Sequence, residues 1–172
     1  LRLDIVSGYE AWDDAKYFGI GNNLPRFLPE KTPARYYSYG VKNFWFVPTL
    51  RIPVAQNWSL FAKASLRTAD VNKVAGSLLA EQVPSGAQGG FFPQLSLGIL
   101  TDKRNREPNT SQGYMFEASL RTAQSWLGSD FSTYGGNTTF RQWFEWLDEE
   151  RLIFCYRLGL DTQQGEVPFF HQ

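Results

Sequence analysis

The chain has 172 residues, of which 42% are hydrophobic and 16% aromatic, and 17 basic residues balance 17 acidic ones. This length predicts one domain, residues 1–172, and no apolar run approaches the roughly 18 residues of a transmembrane helix. The balanced charge does not indicate a basic surface for a nucleic-acid partner. The single cysteine, Cys155, excludes a disulfide framework and a multi-cysteine metal site.

Apolar and polar residues alternate in seven segments, which is the pattern of β-strands with two unlike faces. The clearest segment, residues 59–68, sets Leu60 and Leu66 against Lys63 and Arg67. No segment shows the 3.6-residue apolar stripe of an amphipathic helix, so the chain is predicted to be all-β. The seven predicted strands are residues 1–10, 36–53, 59–68, 91–100, 114–122, 138–147 and 151–161.

The links between these segments alternate between long and short, which predicts an antiparallel up-and-down barrel with two unlike rims. Outer-membrane barrels have short periplasmic turns and longer outer loops, so the link at residues 101–112 is predicted to be periplasmic. The long links are residues 11–35, 69–90 and 123–137, the shorter ones are residues 54–58, 101–112 and 148–150, and a last loop opens at Thr162.

Alternation alone fits two barrels that differ in which face points inward. A transmembrane β-barrel turns its apolar face to lipid, whereas a soluble barrel of lipocalin type buries that face. Segments of about ten residues favour the membrane barrel, because soluble strands average about five or six residues. Tryptophans at or beyond segment ends also favour it, because such residues form belts at membrane interfaces. They are Trp12, Trp58, Trp126 and Trp146.

In the membrane barrel, the charged residues of the polar faces line the lumen. There they tune a pore, hold a loop inside it, or simply pair with one another across neighbouring strands. These predicted lumen residues are Arg51, Lys63, Arg67, Glu117, Arg121, Arg141, Glu145, Arg157 and Asp161.

A hairpin at residues 97–113 carries the most specific pattern in the chain. Its first strand runs into a polar turn that contains Asp102, Arg104, Pro108 and Gly113, and a second strand leaves at once. Asp102 is suited to accept hydrogen bonds from turn amides, and Arg104 is suited to bind a carboxylate or a lipid phosphate. Pro108 fixes φ and Gly113 permits a tight strand entry, so these residues also fit a purely structural turn.

This order of residues resembles the strand-turn-strand signature of the BamA/TamA bacterial surface antigen family. Residues 17–22 resemble the Phe-x-Gly-x-Gly-Asn stretch of an outer loop in that family. Residues 166–170 resemble the Pro-Phe-Phe that opens its sixth loop. Four residues separate Pro108 from Gly113 where the family commonly has two, which predicts a longer turn here.

The resemblance implies a transmembrane β-barrel in the bacterial outer membrane that inserts or translocates outer-membrane proteins. Its implied partners are outer-membrane lipid, client outer-membrane proteins and, as a further option, a second copy of the chain. An outer-membrane pore without an insertase role and a soluble ligand-binding barrel stay open as alternatives. No enzyme activity, cofactor or metal is expected, because the chain lacks a Gly-x-Ser-x-Gly motif and His171 is its one histidine.

Seven strands are an odd number, whereas bacterial single-chain barrels have an even number and a spanning sheet leaves no edge in lipid. The first and last predicted strands therefore need partners. Further strands after Gln172, an eighth strand within a predicted loop, or pairing between two copies would supply them. We expect downstream strands, because the sequence ends where the sixth loop of the family begins.

Overall fold

The computed structural model describes residues 1–20, 35–147 and 152–171. These residues form one antiparallel sheet of seven strands whose spatial order follows the chain, and the sheet curls into a half-barrel. The all-β, up-and-down prediction is therefore confirmed. The strands are β1 (Arg2–Lys16), β2 (Ser38–Ala55), β3 (Trp58–Lys73), β4 (Gly89–Asp102), β5 (Gly113–Ala123), β6 (Thr133–Leu147) and β7 (Leu152–Gly165).

Helical structure is scarce in the described part of the chain. It consists of a five-residue helix, α1 (Leu78–Gln82), and 3-10 turns at Ser125–Leu127 and Phe169–His171. None of these helices is long and apolar enough to cross a membrane. The absence of a 3.6-residue stripe in the sequence agrees with this, although the pattern did not predict α1. The Ser77 side chain caps α1 by accepting a hydrogen bond from the Ala80 backbone N–H.

The strand register assigns the residues of each strand to one of two faces, because paired residues project from the same side of a sheet. Lys63 pairs with Thr49 of β2 and with Ser96 of β4. Its neighbour Ala62 projects to the opposite face and pairs with Leu97. We call the face that carries Lys63 the inner face and the one that carries Ala62 the outer face.

The outer face is uncharged along the middle of all seven strands. Large apolar side chains stand exposed on it, with 61% exposure for Leu3, 75% for Leu120 and 65% for Leu160. In β3 the outer-face residues are uncharged from residue 58 to residue 68. A stretch of this length is about what a tilted membrane strand needs. A soluble lipocalin-type barrel would instead bury these side chains inside.

Loops of different length lie at the two ends of the sheet. One end, the short-loop rim, holds the two-residue turn between β2 and β3 and the turn at residues 103–112. The opposite end, the long-loop rim, holds the β3–β4 and β5–β6 links, the chain after β7 and the described ends of the β1–β2 link, residues 17–20 and 35–37. This agrees with the predicted sidedness for every link that the structure describes. The predicted link at residues 148–150 lies outside the described residues.

Buried aromatic and aliphatic side chains concentrate where the long loops meet the inner face. One cluster joins Tyr17, Val41 and Leu79, and a second joins Phe92 to Phe131. The packing covers the inner face near the long-loop rim.

Most strands extend further than the apolar alternation predicts, mainly toward the long-loop rim. β1 continues to Lys16 and β3 to Lys73, six and five residues past their predicted ends. Charged side chains return to the outer face there, where Lys42 pairs with Asp70. Backbone pairing continues in this region, but the contrast between the two faces is lost, so the sequence pattern does not mark the true strand ends.

The extension of β1 also corrects one interpretation of the sequence. Trp12 pairs with Val41 and therefore lies on the inner face, within a strand rather than beyond its end. The prediction that Trp12 belongs to an interface belt is wrong. Trp58 and Trp146 do lie on the outer face at the short-loop rim, and Trp126 lies in a long-rim loop with 69% exposure.

Candidate functional site

The turn between β4 and β5 is held by an arginine fork. Arg104 donates from Nε to Asp102 Oδ1 at 2.9 Å and from Nη2 to Asp102 Oδ2 at 2.6 Å. The same Nη2 also donates to Glu107 Oε1 at 2.9 Å. The hydrogen bonds from Arg104 to Asp102 raise the pKa of Arg104 above its ordinary value, so the guanidinium stays charged. Of the two expected roles for Arg104, carboxylate binding is the one that this geometry shows.

Asn105 braces the other side of the turn. Its Nδ2 donates to Ser111 Oγ at 2.8 Å, and its Oδ1 accepts from the backbone N–H groups of Ser111 and Gln112 at 3.2 Å each. Pro108 follows Glu107 through a cis peptide bond. These contacts fix a ten-residue link that is longer than a tight hairpin, as the spacing between Pro108 and Gly113 predicts.

Two further contacts tie this turn to the inner face of β6. The Arg104 guanidinium carbon lies 5.9 Å from the centroid of the Trp143 ring, within range of a cation–π interaction. Gln112 Nε2 donates to Glu145 Oε2 at 3.0 Å. The turn motif and Glu145 were predicted as separate features, and the structure brings them together at the short-loop rim.

The register places all the predicted lumen charges on the inner face. Arg51, Lys63 and Glu117 line one small open cavity of about 200 Å³. Arg51 Nε also lies 3.5 Å from Asp4 Oδ2, which forms an ion pair between β2 and β1. Charges of both signs therefore meet on this part of the inner face, as expected for a wet, paired surface.

A second ion pair spans three strands. Arg121 of β5 reaches past Gly135 of β6 and binds Asp161 of β7, with Nη1 to Oδ2 at 2.9 Å. Gly135 is paired with Arg121 in the register, and a Cβ at this position would collide with the backbone of Thr162 and Gln163 in β7. Asn137 Nδ2 adds a hydrogen bond to Asp161 at 3.1 Å. Two of the predicted lumen residues thus form the main polar link across β6.

Two other predicted lumen residues are not brought to an acidic partner. Arg141 and Arg157 lie directly opposite each other on β6 and β7. Among the described residues, neither has a carboxylate oxygen within 4.0 Å, and the buried Arg141 Nε has no hydrogen-bond partner. Cys155, two residues from Arg157, also projects to the inner face and is exposed. This pair leaves concentrated positive charge on the inner face.

The C-terminal segment (residues 166–171) folds back onto the inner face near the long-loop rim. The Phe169 backbone N–H donates to the Ser85 carbonyl at 3.0 Å. The Phe169 ring lies 5.5 Å from the rings of Tyr17 and Tyr39. Arg67 Nη1 donates to the carbonyl of Phe170 at 3.1 Å. The sequence singled out Pro-Phe-Phe and Arg67 separately, and the structure places them in contact.

His171 ends the described part of this segment in a partly buried position. Its ring centroid lies 4.8 Å from that of Phe92, and its Nδ1 lies 3.5 Å from Arg67 Nη1. Burial, with smaller contributions from Arg67 and Arg121, lowers the pKa of His171 to about 4. The ring is therefore neutral at pH 7 and acts as an aromatic packing element.

The comparisons with known proteins agree with this architecture. Residues 9–172 match the Omp85 superfamily domain. The chain belongs to the Omp85 superfamily. Members of this superfamily are outer-membrane proteins, so the match agrees with the apolar outer face and the predicted BamA/TamA-type resemblance. No curated protein and no solved structure matches the chain.

Several residues of the site carried no signal in the sequence. Asn105 and Glu107 look like ordinary turn residues, and Asp4 becomes a partner of Arg51 only once β1 pairs with β2. Trp143 alternates with its neighbours like any strand residue, yet it stacks beside Arg104. Within residues 1–20, 35–147 and 152–171, no group of three or more His, Cys, Asp or Glu side chains could hold a metal ion.

Proposed function

We propose that this Omp85 chain forms part of the wall of a bacterial outer-membrane barrel that inserts or translocates outer-membrane proteins. Its partners in this role are outer-membrane lipid on the outer face and unfolded client proteins, and the role requires no catalytic residue. The observation that carries the proposal is the segregation of charge. Every predicted lumen charge lies on one face, and the other face is uncharged and mostly apolar along the middle of its strands.

The exposed area of that face supports membrane placement. Monomeric soluble proteins rarely expose contiguous apolar patches larger than a few hundred Å². Here every strand from β1 to β7 carries exposed apolar or aromatic side chains, and no charged side chain interrupts the outer face at mid-strand. Hydrocarbon is the solvent in which such a surface is stable.

The insertion role is tested with the protein purified from its native membrane and reconstituted in phospholipid vesicles. A urea-unfolded outer-membrane barrel protein is added, and its folding is followed by the shift in gel mobility that separates folded from unfolded barrels. We expect faster client folding than in vesicles with an equal mass of an outer-membrane barrel from outside the superfamily. Equal folding rates, with the chain shown to be inserted by protease protection, would exclude the insertion role.

A pore is the second candidate function, and the Arg141–Arg157 pair favours it. These side chains project from the inner face with no carboxylate oxygen within 4.0 Å among the described residues, which would favour anions in a water-filled lumen. Conductance across a planar bilayer distinguishes the two roles. Steady anion-selective steps without faster client folding would assign the chain to the pore class.

A further inference from the structure

A shallow apolar groove crosses the outer face of the sheet at mid-height. It has a volume of about 290 Å³ and lies where small side chains sit between larger ones. Ala118 pairs with Thr138, and Gly136 lies two residues away along β6. Because these residues are small, the outer face forms a depression between the larger side chains around them. We call this feature the mid-wall groove; it is lined mainly by Leu97, Ile99, Ala118, Gly136, Thr138 and Leu160.

An aromatic track leads from the mid-wall groove to the short-loop rim. The Phe140 ring lies 6.0 Å from the Tyr114 ring on one side and 6.0 Å from the Tyr156 ring on the other. Tyr156 donates its hydroxyl hydrogen to Gln142 Oε1 at 2.6 Å, which satisfies a polar group on the outer face. Tyrosine with its hydroxyl bonded beside apolar rings is typical of the membrane interface.

Lys103 stands at the rim end of this track. Lys103 Nζ lies 5.5 Å from the centroid of the Tyr114 ring, so the ammonium sits at the edge of the outer face. The neighbouring Arg104 is bound by Asp102 and Glu107, whereas Lys103 has no carboxylate partner among the described residues. Lys103 is therefore placed to meet an anion at the membrane surface.

The distance from Lys103 to the groove matches one lipid leaflet. Tyr114 and Ala118 are four residues apart on β5, which is about 14 Å along the strand at about 3.4 Å per residue. At a strand tilt of about 40° this is about 11 Å along the membrane normal, close to half of an apolar band about 25 Å tall. A lipid with its phosphate at Lys103 would thus place the end of an acyl chain in the mid-wall groove.

We propose that Lys103, the Tyr114–Phe140–Tyr156 track and the mid-wall groove form a binding site for an anionic phospholipid of the leaflet at the short-loop rim. The proposal rests on the membrane placement proposed above, and it adds a defined lipid to it. Charge complementarity selects the headgroup, and the groove accepts the chain end.

The test uses the protein purified from its native membrane and reconstituted in phosphatidylcholine vesicles. These vesicles contain spin-labelled phosphatidylglycerol or spin-labelled phosphatidylcholine, with the label near the end of an acyl chain. Electron paramagnetic resonance measures the motionally restricted fraction of each lipid. We expect the chain to retain phosphatidylglycerol about fivefold more strongly, the size of effect that one lysine exerts at an anionic surface. Lys103→Gln should abolish the preference, whereas Lys42→Gln, on the outer face at the opposite rim, should keep it.

A second pair of variants tests the groove. Ala118→Leu fills it and should reduce the restricted fraction of phosphatidylglycerol at least twofold. Ala64→Leu makes the same change on β3, outside the groove, and should leave the fraction unchanged. Equal effects of Lys103→Gln and Lys42→Gln, or of the two leucine variants, would overturn the proposal. Flotation with the vesicles tests the membrane placement separately from the lipid site. Failure of the unmodified chain to float overturns the membrane placement. Flotation without a headgroup preference overturns the lipid site alone.

Discussion

Gly113 joins the hairpin turn to β5 with a φ of +112°, a backbone conformation that residues with a side chain rarely adopt. A Cβ at this position would overlap the carbonyl oxygen of Lys103 and lie 2.9 Å from Arg104 Cα. Both contacts are with backbone atoms of the turn, so side-chain rotation cannot relieve them. The glycine of the turn motif is thus required by backbone geometry.

We expect Gly113→Ala to lower the free energy of unfolding by about 1–3 kcal/mol more than Gly76→Ala. Gly76 also has a positive φ, of +72°, but a Cβ added there would meet no other atom within 4 Å, so its substitution lacks the collision with backbone atoms. Urea titration of the vesicle-folded chain measures both values. Equal losses would show that the close approach to Lys103 adds nothing.

We expect the docking of the C-terminal segment onto the inner face to depend on pH through His171. Its pKa of about 4 in the docked segment lies below the ordinary value of about 6.5, chiefly because of burial. Arg67 of β3 and Arg121 of β5 also disfavour the charged ring, and among the described residues Asp161 of β7 opposes them. The undocked segment therefore binds more protons between these two values, and docking weakens as the pH falls from about 6.5 toward 4.

A nitroxide at Glu166→Cys, in a Cys155→Ser background, would report this release as faster label motion. We expect slow motion above pH 6.5, increasing motion down to about pH 4, and no further change below it. His171→Asn removes the titrating group and should give a flat profile over the same range. An unchanged pH response in that variant would assign the effect to another group.

Adjacent residues of β3 test the assignment of the two faces at the scale of one strand. Ala64 projects to the outer face, where it pairs with Leu95, and Ser65 projects to the inner face, where it pairs with Gln94. We expect Ala64→Arg to cost about 2–4 kcal/mol of folding free energy in vesicles, as for a cation at the bilayer midplane. Ser65→Arg should cost clearly less, and a cost as large as that of Ala64→Arg would contradict a lipid-facing outer surface.

Strand identity and pairing order could be predicted from the sequence because the membrane band imposes contrast between the faces. In β3 the alternation from Leu60 to Leu66 located the strand and its two faces correctly. The contrast ends near Thr68, so the continuation of β3 to Lys73 left no pattern to read. Helix α1 is a single turn of five residues, too short for any periodicity to identify.

The contacts of the candidate site could be predicted only in part, because most of them join residues that are distant in sequence. The local fork of Asp102 and Arg104 follows from residue type and spacing alone. The pairing of Arg121 with Asp161 depends on the register of two strand pairs, β5 with β6 and β6 with β7. The contact of Arg67 with the C-terminal segment depends on how a loop folds, which alternation does not encode.

At the scale of the whole sheet, the directions of the two edge strands matter as well as the two faces. Each strand is antiparallel to the next, so β1 and β7, the first and the seventh, run in the same direction. Among the described residues, β1 pairs only with β2 and β7 only with β6. An unpaired strand edge is not stable in hydrocarbon, because each unsatisfied backbone group there costs several kcal/mol. Both edges therefore need further strands in the membrane.

Because β1 and β7 run in the same direction, only certain additional strands can pair with both of them. Direct pairing of β1 with β7 would be parallel, whether within one chain or between two copies that keep their long loops on the same side. An antiparallel wall instead requires an odd number of additional strands, which gives an even total. We expect cryo-electron microscopy of the protein from its native membrane to show this even number, with β1 and β7 each beside an antiparallel neighbour.

Disulfide trapping tests the same point without a new structure. Ile5→Cys in β1 with Leu158→Cys in β7, in a Cys155→Ser background, should give neither an intrachain disulfide nor a covalent dimer on oxidation in membranes. Tyr9→Cys with Phe44→Cys is the matched control, because these residues are register partners in β1 and β2 and should cross-link readily. Efficient cross-linking of the edge pair would mean that the wall closes through a parallel contact of β1 with β7, and the parity argument would fail.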